Sequence, residues 1–272
     1  MTTTRHVKDS VRDYFDAEVA GYLDAYETAR PGDARHDAFR ERRELALAMM
    51  PVAARRILDV GAGPGVFTRR LLDRGASCCV VDLSHAMVAA ARRQLLGGTG
   101  RPSFIVGDIE GLPFATGSFD AALCVGVLQY LPTPEASLTE LARVVAPGGQ
   151  LIVTFPNARS PLNILHRGAV GVVRSAFAVF TWLGLAGRPD PSRLTFRSDI
   201  PNRWISAAQL EQRARASGVR VDKLIYHVLQ FPFAVPGLGA LVAGWNRTVR
   251  DRLPKGPLAV WGREGIMRLV RE

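Results

Sequence analysis

Short apolar runs that read as buried strands alternate along the chain with stretches whose apolar residues recur at helical spacing. Ile57, Leu58 and Val60 form the first such run, and Val66, Phe67, Leu71 and Leu72 open a helical pattern directly after it. Cys78-Cys-Val-Val-Asp82 is the second run, with Ser84 placed to cap the helix that follows. Phe104–Asp108, Phe119–Val125 and Leu151–Phe155 are the third, fourth and fifth, with a helix over 136–145 before the fifth. Strand and helix in strict alternation predict a parallel sheet covered on both faces.

Upstream, Val7, Val11, Tyr14, Phe15, Val19, Tyr22, Leu23 and Tyr26 keep a helical period through residues 7–29, until Pro31 and Gly32 break it. This helix packs on the core or serves as a lid over a ligand. A second helix runs from Phe39 to Met50. Downstream, 161–187 is apolar but interrupted by His166, Arg167 and Arg174, and 188–203 reads as loop. Ser206 caps a helix through Arg215, Val219–Leu229 reads as strand six, and 231–257 is a second apolar and basic insertion. Leu258–Val270 supplies the last strand.

The break between the first strand and its helix carries the chemistry. Gly61, Gly63 and Gly65 follow Asp59 within Asp-Val-Gly-Ala-Gly-Pro-Gly. Such a loop is expected to bring bare backbone N–H groups close to a ligand. A dinucleotide fingerprint needs Gly-x-Gly-x-x-Gly, and Val66 stands where its third glycine belongs. Asp59 would also repel a pyrophosphate, whereas it suits an ammonium group. Asp82, 17 residues beyond Gly65, is near the offset at which a carboxylate accepts both ribose hydroxyls of an adenosine.

Asp59-Val-Gly-Ala-Gly-Pro-Gly65, Val80-Val-Asp-Leu-Ser84, Leu112-Pro-Phe114 and Pro147-Gly-Gly149 together resemble the class I S-adenosylmethionine-dependent methyltransferases over residues 55–157. The resemblance implies a Rossmann-like, seven-stranded, mostly parallel sheet with helices on both faces and a last antiparallel strand. It implies S-adenosylmethionine as cofactor, bound by Tyr14, Asp59, Gly61, Ala62, Gly63, Gly65, Asp82, Leu83, Met87, Asp108, Ile109, Val125 and Gln129. Within that set, Tyr14 belongs to the lid, Asp82 to the ribose, and Asp108 and Ile109 to the adenine. The organisation expected is an N-terminal helical lid (1–50), a cofactor-binding core (51–157) and a completion of the sheet (158–272). Two insertions, 158–203 and 231–257, would cover the substrate. His227, His166 and Tyr130 are the candidates for a general base, and a carboxylate nucleophile would need none.

Composition narrows the partners. The net charge of +10 resides entirely beyond residue 157, where 18 basic side chains face 7 acidic ones. No aromatic-basic interleaving accompanies it, so nucleic acid is not expected. A small or lipid-like acceptor, free or carrier-bound, or an anionic membrane surface met peripherally, fits better. No apolar run is long enough to span a bilayer. The N-terminus lacks a signal core, and Cys78, Cys79 and Cys124 sit in apolar strands as reduced residues, all of which predicts a cytoplasmic protein. No metal-ligand spacing is present. A methyltransferase acting on a small hydrophobic or amphiphilic anionic acceptor, with O-methylation ahead of C or N, is the expectation. A non-catalytic binding or assembly subunit on the same fold and a nicotinamide oxidoreductase are the alternatives, and the oligomeric state is open.

Overall fold

A computed structural model describes residues 2–28, 33–165, 167–168, 200–228 and 257–272. Seven strands form one sheet: β1 (Arg56–Val60), β2 (Ser77–Asp82), β3 (Ser103–Val106), β4 (Phe119–Cys124), β5 (Val145–Pro156), β6 (Val219–His227) and β7 (Glu264–Arg271). Their order is β3-β2-β1-β4-β5-β7-β6. The first five pair in parallel, and β7 runs antiparallel to both β5 and β6. β6 is therefore parallel to β5. The carboxyl ends of six strands and the start of β7 share one edge of the sheet, the edge at which ligands bind in open α/β folds.

Side chains alternate across this sheet. Leu58 and Val60 point into a core with Leu138, Leu141 and Leu210, from α6 (Pro134–Val144) and α7 (Ala207–Ala216). Ile57, Val80 and Leu123 face the opposite core. That layer takes Leu47 from α3 (Ala34–Met49), Leu71 from α4 (Val66–Leu72) and Ala91 from α5 (His85–Leu95). Ser84 caps α5 by accepting from Met87 N, and Ser206 with Gln209 forms a capping box on α7.

Three expectations are corrected. The helix expected over 7–29 is two, α1 (Thr2–Ala17) and α2 (Val19–Glu27), broken at Glu18, whose backbone leaves the helical region. β5 starts before Leu151, because Pro147-Gly-Gly149 lies inside the strand, where a register shift against β4 absorbs it. Leu258 to Val260 belongs to a 3-10 turn (Pro257–Trp261), and the last strand begins only at Glu264. The insertions 158–203 and 231–257 lie largely outside the described residues. Their points of departure are described: both leave from the ligand edge, after β5 and β6.

Candidate active site

The glycine loop is built tightly. Gly61 has φ +63°, and a Cβ there would meet Val127 Cγ2 at 2.2 Å, so the loop lies flush on the segment after β4. Its amides are not bare, contrary to expectation. Gly61 N and Ala62 N both donate to Val81 O (2.8 and 3.2 Å), Gly63 N donates to Asp82 Oδ2 (2.8 Å), and Gly65 N donates to Ala62 O (3.1 Å). A pyrophosphate would find no cradle of free donors here. Gly61→Ala should cost about 2 kcal/mol of stability through overpacking and left-handed strain. Melting curves with and without S-adenosylhomocysteine check this; an unshifted melting temperature would mean that Val127 yields.

Two carboxylates stand at the tips of β2 and β3. Asp82 accepts from Gly63 N and, through Oδ1, from Ser84 N (2.9 Å). Burial pushes its carboxyl up, the two amide bonds oppose that, and Asp16 adds to it. Asp108 Oδ1 accepts from Glu110 N (3.0 Å), and Ile109 is buried beside it. Leu83 follows Asp82, and Met87, also buried, places its sulfur 3.9 Å from where a Cβ of Gly63 would stand.

Asp59 behaves differently. Only 2% exposed, it accepts a 2.5 Å hydrogen bond from Thr68 Oγ1 on α4. Burial pushes its carboxyl up to about 7, against the Thr68 bond and with Asp82 reinforcing.

α1 lies across these tips. Lys8 Nζ reaches Asp108 Oδ2 and Glu110 Oε2, each at 2.5 Å. Eight residues on, Asp16 Oδ1 accepts from Ser84 Oγ (2.5 Å) and Ala86 N (3.1 Å) at the start of α5. Tyr14 packs edge-on against Phe15, which meets Tyr22 and Tyr130 in the same way at 5.5 and 5.2 Å. Tyr14 and Tyr130 thus join one aromatic cluster although 116 positions separate them. Tyr130 lies on a 3-10 turn, Leu128–Tyr130, rather than on β4. Val125 is half-buried at the end of β4, and Gln129 Oε1 is a buried acceptor with no hydrogen-bond donor among the described residues.

His227 ends β6, 1% exposed, far from Asp82 along the sheet. Beside it lies an ion pair that sequence reasoning missed. Arg42 on α3 donates through Nε to Glu264 Oε2 (2.8 Å) and through Nη2 to Oε1. The Arg42 guanidinium also lies 3.7 Å from where a Cβ of Gly126 would stand, just past β4. His166 lies outside the described residues. Among the described residues no group of three or more His, Cys, Asp or Glu side chains could hold a metal ion.

The acceptors at this edge, Asp82, Asp108 and the buried, unpaired Gln129 oxygen, suit a ligand rich in donors, such as a nucleoside bearing a sulfonium and an ammonium group.

Comparison with known proteins agrees. A methyltransferase domain family matches residues 58–153. Demethylmenaquinone methyltransferase of Clavibacter sepedonicus is 31% identical over 186 residues, covering 63% of this chain and 73% of that protein. Ubiquinone biosynthesis O-methyltransferase of Dechloromonas aromatica is 32% identical over 161 residues, 59% of this chain and 66% of that one. In fold, a Haloferax volcanii methyltransferase seen in complex with its activator gives a TM-score of 0.63 at 22% identity over 96% of each chain. Magnesium protoporphyrin IX methyltransferase from Synechocystis with bound S-adenosylhomocysteine gives 0.62 at 16% identity, covering 96% of this chain and 98% of that one. The chain belongs to the S-adenosylmethionine-dependent methyltransferases, and S-adenosylmethionine is its cofactor.

Proposed function

We propose that the chain methylates a small hydrophobic or amphiphilic acceptor, with oxygen the favoured nucleophile. The observation that carries this is the run of acceptors at the ligand edge of the sheet: Asp108 and Asp82 past β3 and β2, then the buried, unpaired Gln129 oxygen past β4. Asp108 and Ile109 take the adenine, Asp82 and Leu83 the ribose, and Gly61, Ala62, Gly63, Gly65 and Met87 the middle of the cofactor. Gln129, Val125 and the ionised form of Asp59 take the methionine end, and Tyr14 closes over it from α1. The bound cofactor supplies a methyl group already activated on a sulfonium. The chain's own task is to hold the acceptor's nucleophile in line, and positioning alone can contribute about 7–11 kcal/mol.

Relatives named for quinone precursors support a hydrophobic acceptor. The aromatic cluster of Phe15, Tyr22 and Tyr130 supports a flat one. Peripheral membrane contact belongs to the same reading. Ile164, Leu165 and Trp261 are 56%, 51% and 43% exposed, on segments tied together by Asn163 to Arg263 O and Ser160 to Trp261 O. The chain's positive excess falls in the same C-terminal part. No described helix is long and apolar enough to cross a membrane.

Calorimetric titration with S-adenosylmethionine and with NAD tests the cofactor assignment; tight NAD binding without S-adenosylmethionine binding overturns it. Asp82→Ala should weaken S-adenosylhomocysteine binding by about 1–3 kcal/mol, because two backbone donors and the ribose lose their acceptor. Unchanged affinity would remove Asp82 from the site.

A further inference from the structure

His227 is fully enclosed, yet neither of its ring nitrogens completes a hydrogen bond among the described residues. Buried polar atoms are satisfied in the great majority of cases, so an orphaned imidazole points to a missing partner. The backbone around it is constrained. Val228, the next residue, has φ +59°, a left-handed conformation that a β-branched residue adopts only when its surroundings impose it. Gly262 presses on His227 so closely that a Cβ would stand 2.7 Å from His227 N and O. Strain and an unmet polar group coincide at the ligand edge, where β6 gives way to the second insertion.

The ring's orientation follows from its neighbours. Nε2 lies 3.5 Å from Glu264 Oε2. A carboxylate only accepts, so the ring proton belongs on Nε2, and Nδ1 is left as a bare acceptor. Glu264 cannot turn away, because Arg42 holds both its oxygens. The charged groups facing the ring are Glu264 from β7 and Arg42 from α3, with Arg263 next along β7's approach. Glu264 and Arg42 act on the ring in opposite directions. Burial holds the imidazole neutral, down to about 4, with Glu264 opposing and Arg42 adding to the effect.

We propose that His227 is a specificity-determining residue whose Nδ1 accepts a hydrogen bond from a hydroxyl of the methyl acceptor, and that Glu264 is the residue that positions it. The acceptor is therefore a hydroxylated molecule, phenol or quinol in type, at this point of contact. A carboxylate would set its lone pairs against that of Nδ1. This rests on the methyltransferase reading above and selects among its acceptors.

The test uses the full chain saturated with S-adenosylhomocysteine and two probes of one shape, 2-naphthol and 2-naphthoate. The wild type is expected to bind 2-naphthol at least tenfold more tightly. His227→Leu should abolish that preference while changing S-adenosylhomocysteine affinity less than threefold, and His227→Asn, which keeps an acceptor near Nδ1, should restore part of it. In 15N spectra of ring-labelled histidine, Glu264→Gln should convert the His227 signal from the pure Nε2-protonated form to a mixture. Equal or tighter binding of 2-naphthoate, no detectable binding of 2-naphthol, or an unchanged preference in His227→Leu overturns the proposal. Loss of S-adenosylhomocysteine binding by the wild type would instead sink the cofactor assignment beneath it.

Discussion

Arg42→Met is expected to lower the stability of the chain by about 3 kcal/mol, near the bottom of the range for breaking a buried ion pair. The bottom of the range applies because Glu264 keeps 23% of its side-chain surface exposed, against 11% for Arg42. At roughly 3 °C per kcal/mol for a chain of this size, the melting temperature should fall by about 9 °C. The loss comes less from the pair's own attraction than from the carboxylate left behind. Burial works against ionised Glu264, and Arg42, His227 and Arg263 together outweigh it, keeping the group below the ordinary carboxylate range. Without Arg42 the balance reverses and Glu264 titrates upward. The variant should therefore be less impaired at acid pH, where Glu264 protonates, than at pH 8. Adding Glu264→Leu should recover most of the loss by removing the stranded charge. A double variant no more stable than Arg42→Met would show that Arg42 acts through its 4.8 Å stacking on Phe39 instead.

The ion pair was illegible in the sequence for a plain reason: 222 positions separate its members, and neither sits in a local pattern that asks for a partner. The same holds for Lys8 and Asp108, one hundred residues apart. By contrast the strand tips were legible, because each rule that places them acts over a few residues. Asp82 ends an apolar run and precedes a capping serine, and Gly61 follows a run that can only be a strand. The seven-stranded sheet with its last antiparallel strand came from resemblance, and the order of its strands from the structure, since alternation of strand and helix constrains handedness but not which strands are neighbours. Where reading went astray, two structures shared one pattern. α1 and α2 keep a common apolar period across Glu18, with no glycine or proline to mark the break. Leu258 to Val260 is as apolar as a strand, yet it makes a 3-10 turn. The glycine loop misled in a further respect. Glycines do mark a close approach there, but the approach is to Val127, and the amides thought to await a ligand are spent on Val81, Asp82 and Ala62.

Asp59→Asn is expected to stabilise the ligand-free chain and to weaken its hold on the cofactor. Asp59 is buried in the layer between β1 and α4, where ionisation is costly, and its carboxyl is pushed up to about 7. A carboxyl raised above its unfolded value binds its proton more tightly in the folded chain. Its contribution to stability is therefore complete below the unfolded value near 3.8 and is lost as pH rises through about 7. The span corresponds to about 4 kcal/mol at pH 8 and above, taking 1.36 kcal/mol per unit. Asparagine is isosteric, can still accept from Thr68 Oγ1, and never ionises. The variant and the wild type should thus melt together near pH 4, and at pH 8 the variant should melt about 10 °C higher. Such a cost is sustained only where the charge is used. An ammonium group brought to Asp59 by the cofactor would offset the penalty, so S-adenosylhomocysteine should raise the melting temperature of the wild type far more at pH 8 than it raises that of Asp59→Asn. If the two proteins differ equally at pH 4 and pH 8, Asp59 is not the titrating group. If ligand stabilises both alike, its charge serves the packing of α4 and not the cofactor.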